Sequence, residues 1–410
     1  MNTLLTGPKN PELLQEILIS GSKSESNRLL LLQALFPDIR IENLSNSDDS
    51  RLMQAGLKSC DTLIDIHHAG TAMRFLTAYF AGREGRVTQL TGSGRMKERP
   101  VKILVEALRQ LGADITYLEN EGCPPLQIKG KKLVGNSLRI PANVSSQYIS
   151  ALMLMAPSLP EGLTIHLEGT ITSIPYIRMT LGLLQRVGIK GTFEGQEIKI
   201  YPESHLAAQT VTVESDWSSA SYFYSITALA DPGTKISLRS FRADSLQGDS
   251  VLPEIFKHLG VETEFDGDRI TLTHTGDPDI SLLEWDLIEA PDLAQTIVVC
   301  CFGLGIGCNL TGLHTLKIKE TDRLVALENE LSKLGADITI TDHSLHLRES
   351  RRIVPMQSIQ TYNDHRMAMA FAPLALKTKL IIEDAGVVSK SYPDFWKDLA
   401  KLDFHASEAN

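Results

Sequence analysis

The apolar positions of this 410-residue chain recur in a unit that appears four times. Over residues 101–116 they fall at Ile103, Leu104, Ala107, Leu108 and Leu111, the spacing of an amphipathic helix. The helix stops at Gly112, and Ala113-Asp114-Ile115-Thr116 then alternates with strand period. The pattern returns over 177–192 with Gly188, over 251–265 with Gly260, and over 323–340 with Gly335. Each copy turns through polar or Gly residues into a second strand, such as Arg269-Ile270-Thr271-Leu272-Thr273 or Ser344-Leu345-His346-Leu347. Between the copies the pattern predicts helices that are apolar all round, over 148–156 and 292–302, and strands such as 163–167. The expectation is an α/β chain of similar modules in two globular halves. The polar run Glu214-Ser215-Asp216-Trp217-Ser218-Ser219-Ala220-Ser221 is the candidate crossing point.

Composition narrows the function. With 42% hydrophobic and 22% charged residues the chain has the make-up of a soluble globular protein. A net charge of −10 argues against a general nucleic-acid or anionic-membrane surface. The first twenty residues contain Pro8, Pro11, Lys9, Glu12 and Glu16, so no signal peptide is visible, and the apolar stretch at 297–306 is too short to span a bilayer. Five cysteines, Cys60, Cys123, Cys300, Cys301 and Cys308, have neither metal nor disulfide spacing, so a reduced, cytoplasmic protein is expected.

Against that acidic background, cations gather where helices begin. Helix starts normally attract Asp and Glu, because their unpaired N–H groups and the macrodipole make that end positive. Gly21-Ser22-Lys23-Ser24-Glu25-Ser26-Asn27-Arg28 reads as a small-residue loop opening the apolar helix at Leu29. Ala69-Gly70-Thr71-Ala72-Met73-Arg74 leads into Phe75, and Arg95-Met96-Lys97-Glu98-Arg99-Pro100 precedes Val101. Lys317-Ile318-Lys319-Glu320-Thr321-Asp322-Arg323 opens a helix near Leu324, and Tyr362-Asn363-Asp364-His365-Arg366 opens one at Met367. Such clusters imply a ligand with several negative groups, bound by helix starts from both halves. Ser145-Ser146-Gln147 adds neutral donors, or else a pair of ordinary N-cap serines.

Acid–base candidates are fewer. Glu320 stands among Lys319 and Arg323. On local grounds Asp292 reads as an N-cap and Lys390, in Val388-Ser389-Lys390-Ser391-Tyr392-Pro393, as a solvated loop Lys. His67-His68 lacks further ligands at useful spacing, so no metal is expected. No nucleotide P-loop, Gly-x-Ser-x-Gly elbow or dinucleotide fingerprint is present.

Taken in order, these segments resemble the 3-phosphoshikimate 1-carboxyvinyltransferases, the EPSP synthases of the shikimate pathway and aromatic amino-acid biosynthesis. The resemblance implies an α/β fold of two similar lobes, each of three repeated helix/strand units (the inverse α/β barrel of the enolpyruvyl transferases), with a hinge. It implies a discontinuous C-terminal lobe of 1–19 plus 216–410, an N-terminal lobe of 20–215, and a site in the cleft between them. It implies transfer of the enolpyruvyl group of phosphoenolpyruvate to the 5-hydroxyl of shikimate 3-phosphate, with release of phosphate and no cofactor.

Residue by residue, the resemblance makes Lys23, Ser24, Arg28, Ser145, Ser146, Gln147, Ser173, Asp292, Thr315 and Lys319 contacts to shikimate 3-phosphate. It makes Lys23, Gly70, Arg99, Gln147, Arg323, Arg366 and Lys390 contacts to phosphoenolpyruvate. Asp292 is placed like the base for the 5-hydroxyl and Glu320 like the group that shuttles the methyl proton, with Lys23 and Lys390 stabilising developing charge. The Gly70-Thr71-Ala72 loop resembles the form that leaves space for glyphosate, so inhibition is expected. A monomer is expected, with no nucleic-acid or membrane partner.

The chain departs from the family pattern at His68, where Asn is usual, at Thr315 (Asn), at Lys317 (Arg) and at Ser20 (Pro). The segment 52–66 is also short, so the first repeat is expected to lack a strand or hairpin. Two alternatives stay open. Enolpyruvyl transfer to UDP-N-acetylglucosamine uses a related fold with a loop Cys, whereas Cys123 lies in Glu121-Gly122-Cys123-Pro124-Pro125 within a repeat hairpin. A non-catalytic binding protein for phosphorylated metabolites would need neither Asp292 nor Glu320.

Overall fold

The computed structural model describes residues 2–8, 14–143, 145–171, 174–350 and 352–409. The chain folds into two compact units, Gly21–Val213 and a discontinuous unit of Met1–Ser20 with Glu214–Asn410.

In the Gly21–Val213 unit the helices are α1 (Lys23–Leu35), α2 (Asp48–Lys58), α3 (Gly70–Ala81), α4 (Lys102–Gln110), α5 (Ser146–Met155) and α6 (Ile174–Arg186). One module repeats. Strand Leu63–Asp65 runs through α3 into the parallel strand Val87–Thr91, and α4 then feeds the antiparallel pair Asp114–Tyr117 and Leu126–Lys129. The next module repeats this order with Ser137–Pro141, α5, Leu163–Glu168, α6, Gly191–Glu194 and Glu197–Ile200. The third is reduced. Ile39–Glu42 pairs in parallel with Gln209–Thr212, and among the described residues that sheet has these two strands alone. Only four residues separate α2 from Leu63, too few for a hairpin. The loss expected from the short segment 52–66 is therefore seen.

The discontinuous unit carries α7 (Trp217–Leu229), α8 (Leu252–Lys257), α9 (Ala294–Leu304), α10 (Arg323–Lys333), α11 (His365–Phe371) and α12 (Phe395–Lys401). Its three sheets are four-stranded and keep the same strand order. Two are completed by the start of the chain. Leu14–Ile17 lies parallel to Lys235–Arg239, and Thr3–Thr6 fits between Leu380–Ile382 and His405–Glu408. This accounts for the discontinuity: the chain forms one strand in each of two modules before it enters the other unit.

The helices fall into two kinds. Every residue of α7 is buried, as are Ala294–Phe302 of α9 and all of α5 except Gln147. These lack a polar face and form the interior. In α4 only Leu104, Val105, Ala107 and Leu108 are buried, the single face its periodicity predicts. The run 214–221 is buried structure rather than a solvated linker. Glu214 accepts from Trp217 Nε1 at 2.7 Å, Ser245 Oγ at 2.7 Å and the Arg242 amide at 2.9 Å. Ser221 meets Thr296 at 2.9 Å, joining α7 to α9.

At all four repeat stops the Gly is left-handed, with φ of 95° at Gly112, 99° at Gly188, 80° at Gly260 and 96° at Gly335. After Gly112, Gly188 and Gly335 the next amide bonds back to the last turn, Ala113 to Leu108 and Ala336 to Leu331 at 3.1 Å and Ile189 to Leu184 at 2.9 Å. The surroundings differ: a Cβ on Gly112 would meet nothing within 4 Å, whereas one on Gly260 would lie 1.9 Å from the Gly276 carbonyl oxygen. Gly112→Ala is therefore expected to cost only the left-handed backbone strain, about 1–2 kcal/mol. Gly260→Ala adds a backbone clash and should cost clearly more, read as the larger drop in urea midpoint.

Candidate active site

In the Gly21–Val213 unit, site residues come from the starts of three buried helices. The α1 helix begins at Lys23, so Ser24 to Arg28 are its first turns rather than the loop the sequence suggests; the loop is Gly21 and Ser22. Neither Ser22 before α1 nor Ala69 before α3 makes a side-chain cap, and Ser145 accepts only a long 3.4 Å bond from the Gln147 amide. These helix starts thus keep donor capacity for an anion.

Gln147 Nε2 donates to Thr71 Oγ1 at 3.3 Å, which brings the starts of α3 and α5 together. Arg74 fastens a third segment to them. Its Nη1 donates to the Gly70 carbonyl and its Nη2 to the Pro100 carbonyl, both at 3.0 Å, while Tyr148 Oη donates to the same Pro100 oxygen at 2.6 Å. Arg99 is thereby held against Gly70, where an added Cβ would lie 2.5 Å from Arg99 Nη1. The sequence groups Arg74 with the ligand cations; the structure buries it as the clamp between two of them.

Arg28 is also buried. It donates from Nε to Thr180 Oγ1 at 2.8 Å, from Nη1 to the Ser24 carbonyl at 2.8 Å and from Nη2 to Ser150 Oγ at 3.0 Å. Burial pulls the Arg28 and Arg74 guanidiniums down to about 10, which leaves both charged at neutral pH. Among the described residues none of Lys23, Arg28, Arg74 and Arg99 forms an ion pair, although Glu25 acts electrostatically on Arg28 and Asp49 on Arg74. Lys23, Ser24 and Gln147 are half-buried, Ser145 is exposed and Ser146 buried. Ser173 lies outside the described residues. His67 adopts a left-handed φ of 45°, and it and His68 are both exposed. Among the described residues no group of three or more His, Cys, Asp or Glu is placed to hold a metal.

The discontinuous unit is built differently. Asp292 sits in a short 3-10 turn, Pro291–Leu293, ahead of α9; it does not cap that helix. Arg323 opens α10 after the N-cap Asp322, and Arg366 lies in the first turn of α11 after the N-cap Asp364. Arg323 is 2% exposed. Its Nε donates to Asp364 Oδ2 at 2.6 Å, Nη1 to Asp292 Oδ1 at 2.8 Å and Nη2 to Glu320 Oε2 at 2.8 Å. Arg366 Nη2 donates to Asp292 Oδ2 at 3.2 Å and Lys319 Nζ lies 3.5 Å from Asp292 Oδ1.

Burial alone would lower both guanidiniums, but the carboxylates around them hold Arg323 and Arg366 above their usual range. The three cations Arg323, Arg366 and Lys319 thus face the three carboxylates Asp292, Glu320 and Asp364. The cation count in the sequence suggests an open anion site here; the folded cluster is formally neutral.

Lys390 Nζ donates to the Asn363 carbonyl at 2.6 Å, within a turn where Tyr362 and Asn363 are both left-handed. Thr315 is half-buried, with its Oγ1 enclosed and unbonded. Lys317 pairs with Asp342 at 2.6 Å on the surface. Asp364 and Asp249 are not among the sequence-derived candidates. Asp364 was legible as a helix cap, an Asp one residue before His365-Arg366, but its hold on Arg323 joins positions 41 apart in sequence. Asp249, in the 3-10 turn Gly248–Val251, has no local signal.

One unit thus has cations clustered at helix starts and the other has carboxylates held among cations, groups suited to multiply charged anions. Comparison with known proteins narrows this. The sequence profile of EPSP synthase (3-phosphoshikimate 1-carboxyvinyltransferase) matches residues 54–399. The 3-phosphoshikimate 1-carboxyvinyltransferase of Bacteroides fragilis strain YCH46 is 45% identical over 98% of both chains. That of Colwellia psychrerythraea is 36% identical over 94% of this chain and 96% of its own. The structure of EPSP synthase from Acinetobacter baumannii superposes with a TM-score of 0.82 over the full length of both chains at 20% identity, a likeness of fold. The chain belongs to the 3-phosphoshikimate 1-carboxyvinyltransferase (EPSP synthase) family.

Burial, and then the charge of Asp292, push the Asp249 carboxyl up to about 7. A carboxyl that binds its proton more tightly when folded loses stability as pH rises from about 4 to about 7 and not beyond. Asp249→Asn lacks that loss. The excess of its melting temperature over the parent's should be clearly larger at pH 8 than at pH 5; an equal difference at both values would remove the assignment.

Proposed function

We propose that the cationic helix starts of both units serve the family's reaction in this chain: transfer of the enolpyruvyl group of phosphoenolpyruvate to the 5-hydroxyl of shikimate 3-phosphate, with release of phosphate. The observation that carries the residue assignment is the Asp292–Arg323–Glu320 cluster. It places two proton-handling carboxylates on one buried guanidinium, 2.8 Å from each.

Asp292 takes the 5-hydroxyl proton as that oxygen attacks C2 of phosphoenolpyruvate. Glu320 gives a proton to the methylene carbon and later recovers one as phosphate leaves and the double bond re-forms. Arg323 and Arg366 receive an anionic group of phosphoenolpyruvate, and Lys23, Arg99 and Lys390 bear on its phosphate and the charge that develops there. Two polyanions brought together repel each other, and this cation supply offsets that repulsion. Ser24, Arg28, Ser145, Ser146, Gln147, Ser173, Thr315 and Lys319 are assigned to shikimate 3-phosphate; for the buried Arg28 this means contact at most through its unused N–H groups. Gly70 and Gln147 complete the phosphoenolpyruvate contacts. A monomeric, cytoplasmic enzyme is part of the same reading. No helix of the described residues is long and apolar enough to cross a membrane.

The test is phosphate release from phosphoenolpyruvate with shikimate 3-phosphate or UDP-N-acetylglucosamine as acceptor. Release with shikimate 3-phosphate alone is expected; release with only the nucleotide sugar would move the chain to the sister activity. Asp292→Asn and Glu320→Gln should each lower kcat by about 10²–10⁴, and near-normal turnover would remove those roles. Glyphosate should inhibit. Gly70→Ala drives a methyl into Arg99, so it should raise KM for phosphoenolpyruvate and weaken that inhibition.

A further inference from the structure

The Asp292 carboxylate spans two guanidiniums. Oδ1 accepts from Arg323 at 2.8 Å and Oδ2 from Arg366 at 3.2 Å, and the Asp292 main-chain oxygen takes a further 3.4 Å bond from Arg366 Nη1. One carboxylate with an oxygen on each of two arginines is the arrangement in which such a pair holds a ligand carboxylate. The other two nitrogens of Arg323 are engaged by Asp364 and Glu320. Arg323 cannot turn away, because it is buried and its Nε is locked on the fully buried Asp364. Asp364 in turn caps α11 through the Arg366 amide at 2.9 Å. Arg323 is therefore fixed, and Asp292 takes a donor from it and from the neighbouring Arg366.

We infer that Asp292 occupies the place of the phosphoenolpyruvate carboxylate on Arg323 and Arg366, and that this carboxylate displaces it from them on binding. The inference rests on the assignment of these arginines to phosphoenolpyruvate proposed above. Displacement removes two charge-assisted hydrogen bonds from Asp292 while the substrate carboxylate gains them. A carboxylate released from two guanidiniums is a stronger proton acceptor. The base thus becomes competent only once the donor substrate is seated, and until then it is neutralised by the groups that will bind that substrate. Lys319, 3.5 Å from Oδ1, remains as the cation that keeps the released carboxylate nearby.

Equilibrium dialysis of labelled phosphoenolpyruvate, without acceptor, against the full chain and its variants tests this. Asp292→Asn and Asp292→Ser, both checked by thermal unfolding, take the competing charge away and should bind phosphoenolpyruvate about tenfold more tightly than the parent. Adding Arg366→Gln to Asp292→Asn should abolish the gain. Asp249→Asn removes a neighbouring negative charge that takes no guanidinium donor, and should give a much smaller gain. Binding by both Asp292 variants that is equal to or weaker than the parent's, undetectable binding in all forms included, overturns the displacement. So does an equal gain from Asp249→Asn, which would make the effect general charge repulsion. Turnover distinguishes this from the base assignment. If Asp292→Asn is inactive but binds no more tightly, the displacement falls and the base role stands. Tight binding with near-normal turnover reverses the two.

Discussion

The buried pair of Arg323 and Asp364 is the constraint on which the discontinuous unit's site depends. A guanidinium 2% exposed can stay charged only if its neighbours return the hydration it has lost. Here they do so in a way that fixes geometry. Asp364 bonds Arg323 at 2.6 Å and also caps α11, so one carboxylate sets both the orientation of Arg323 and the start of the helix that carries Arg366. Arg323 in turn holds Asp292 and Glu320, which come from separate turns of the chain. Deleting one partner of such a pair typically costs about 3–5 kcal/mol, because the survivor is left charged and dry.

The two units solve the problem of anion binding in opposite ways. In the Gly21–Val213 unit the guanidiniums of Arg28 and Arg74 are hydrogen-bonded by hydroxyls and carbonyls, partners without charge. In the other unit cations and carboxylates balance. Holding a phosphate needs only positive charge and N–H groups. Asp292, Glu320 and Asp364, by contrast, each take a donor from the one buried Arg323. Balance has a consequence: an incoming anion meets a competitor already in place.

Both arrangements stand on one repeated module. A strand, a buried helix and a parallel strand present the helix start at the end of a sheet. An amphipathic helix and a hairpin then complete the sheet. The site residues of α1, α3, α5, α9 and α11 all lie at or just before the start of an inner helix, which is where backbone donors are unpaired. One module lacks its hairpin after α2 and keeps only a two-stranded sheet. Two others are closed by a distant segment, the chain's first strands.

Much of this was legible in the amino-acid order. Apolar spacing with a following Gly located the outer helices and their strands, because a 3.6-residue period and a left-handed stop are local properties. Cations where acids belong marked the helix starts, because the macrodipole argument needs only the order of residues. Family motifs then named the reaction. The sequence could not say which cations face a ligand. Arg74 and Arg99 lie in comparable motifs, yet one is a buried clamp and the other leans on Gly70. Nor could it say that the run 214–221 is interior, or that Asp364 and Asp292 meet on Arg323. Charge compensation is a matter of distances between positions tens of residues apart, and those exist only once the modules have packed. The sequence by itself determined the modules and the kind of chemistry; the tertiary structure alone decided which charges are spent on each other and which remain for the substrate.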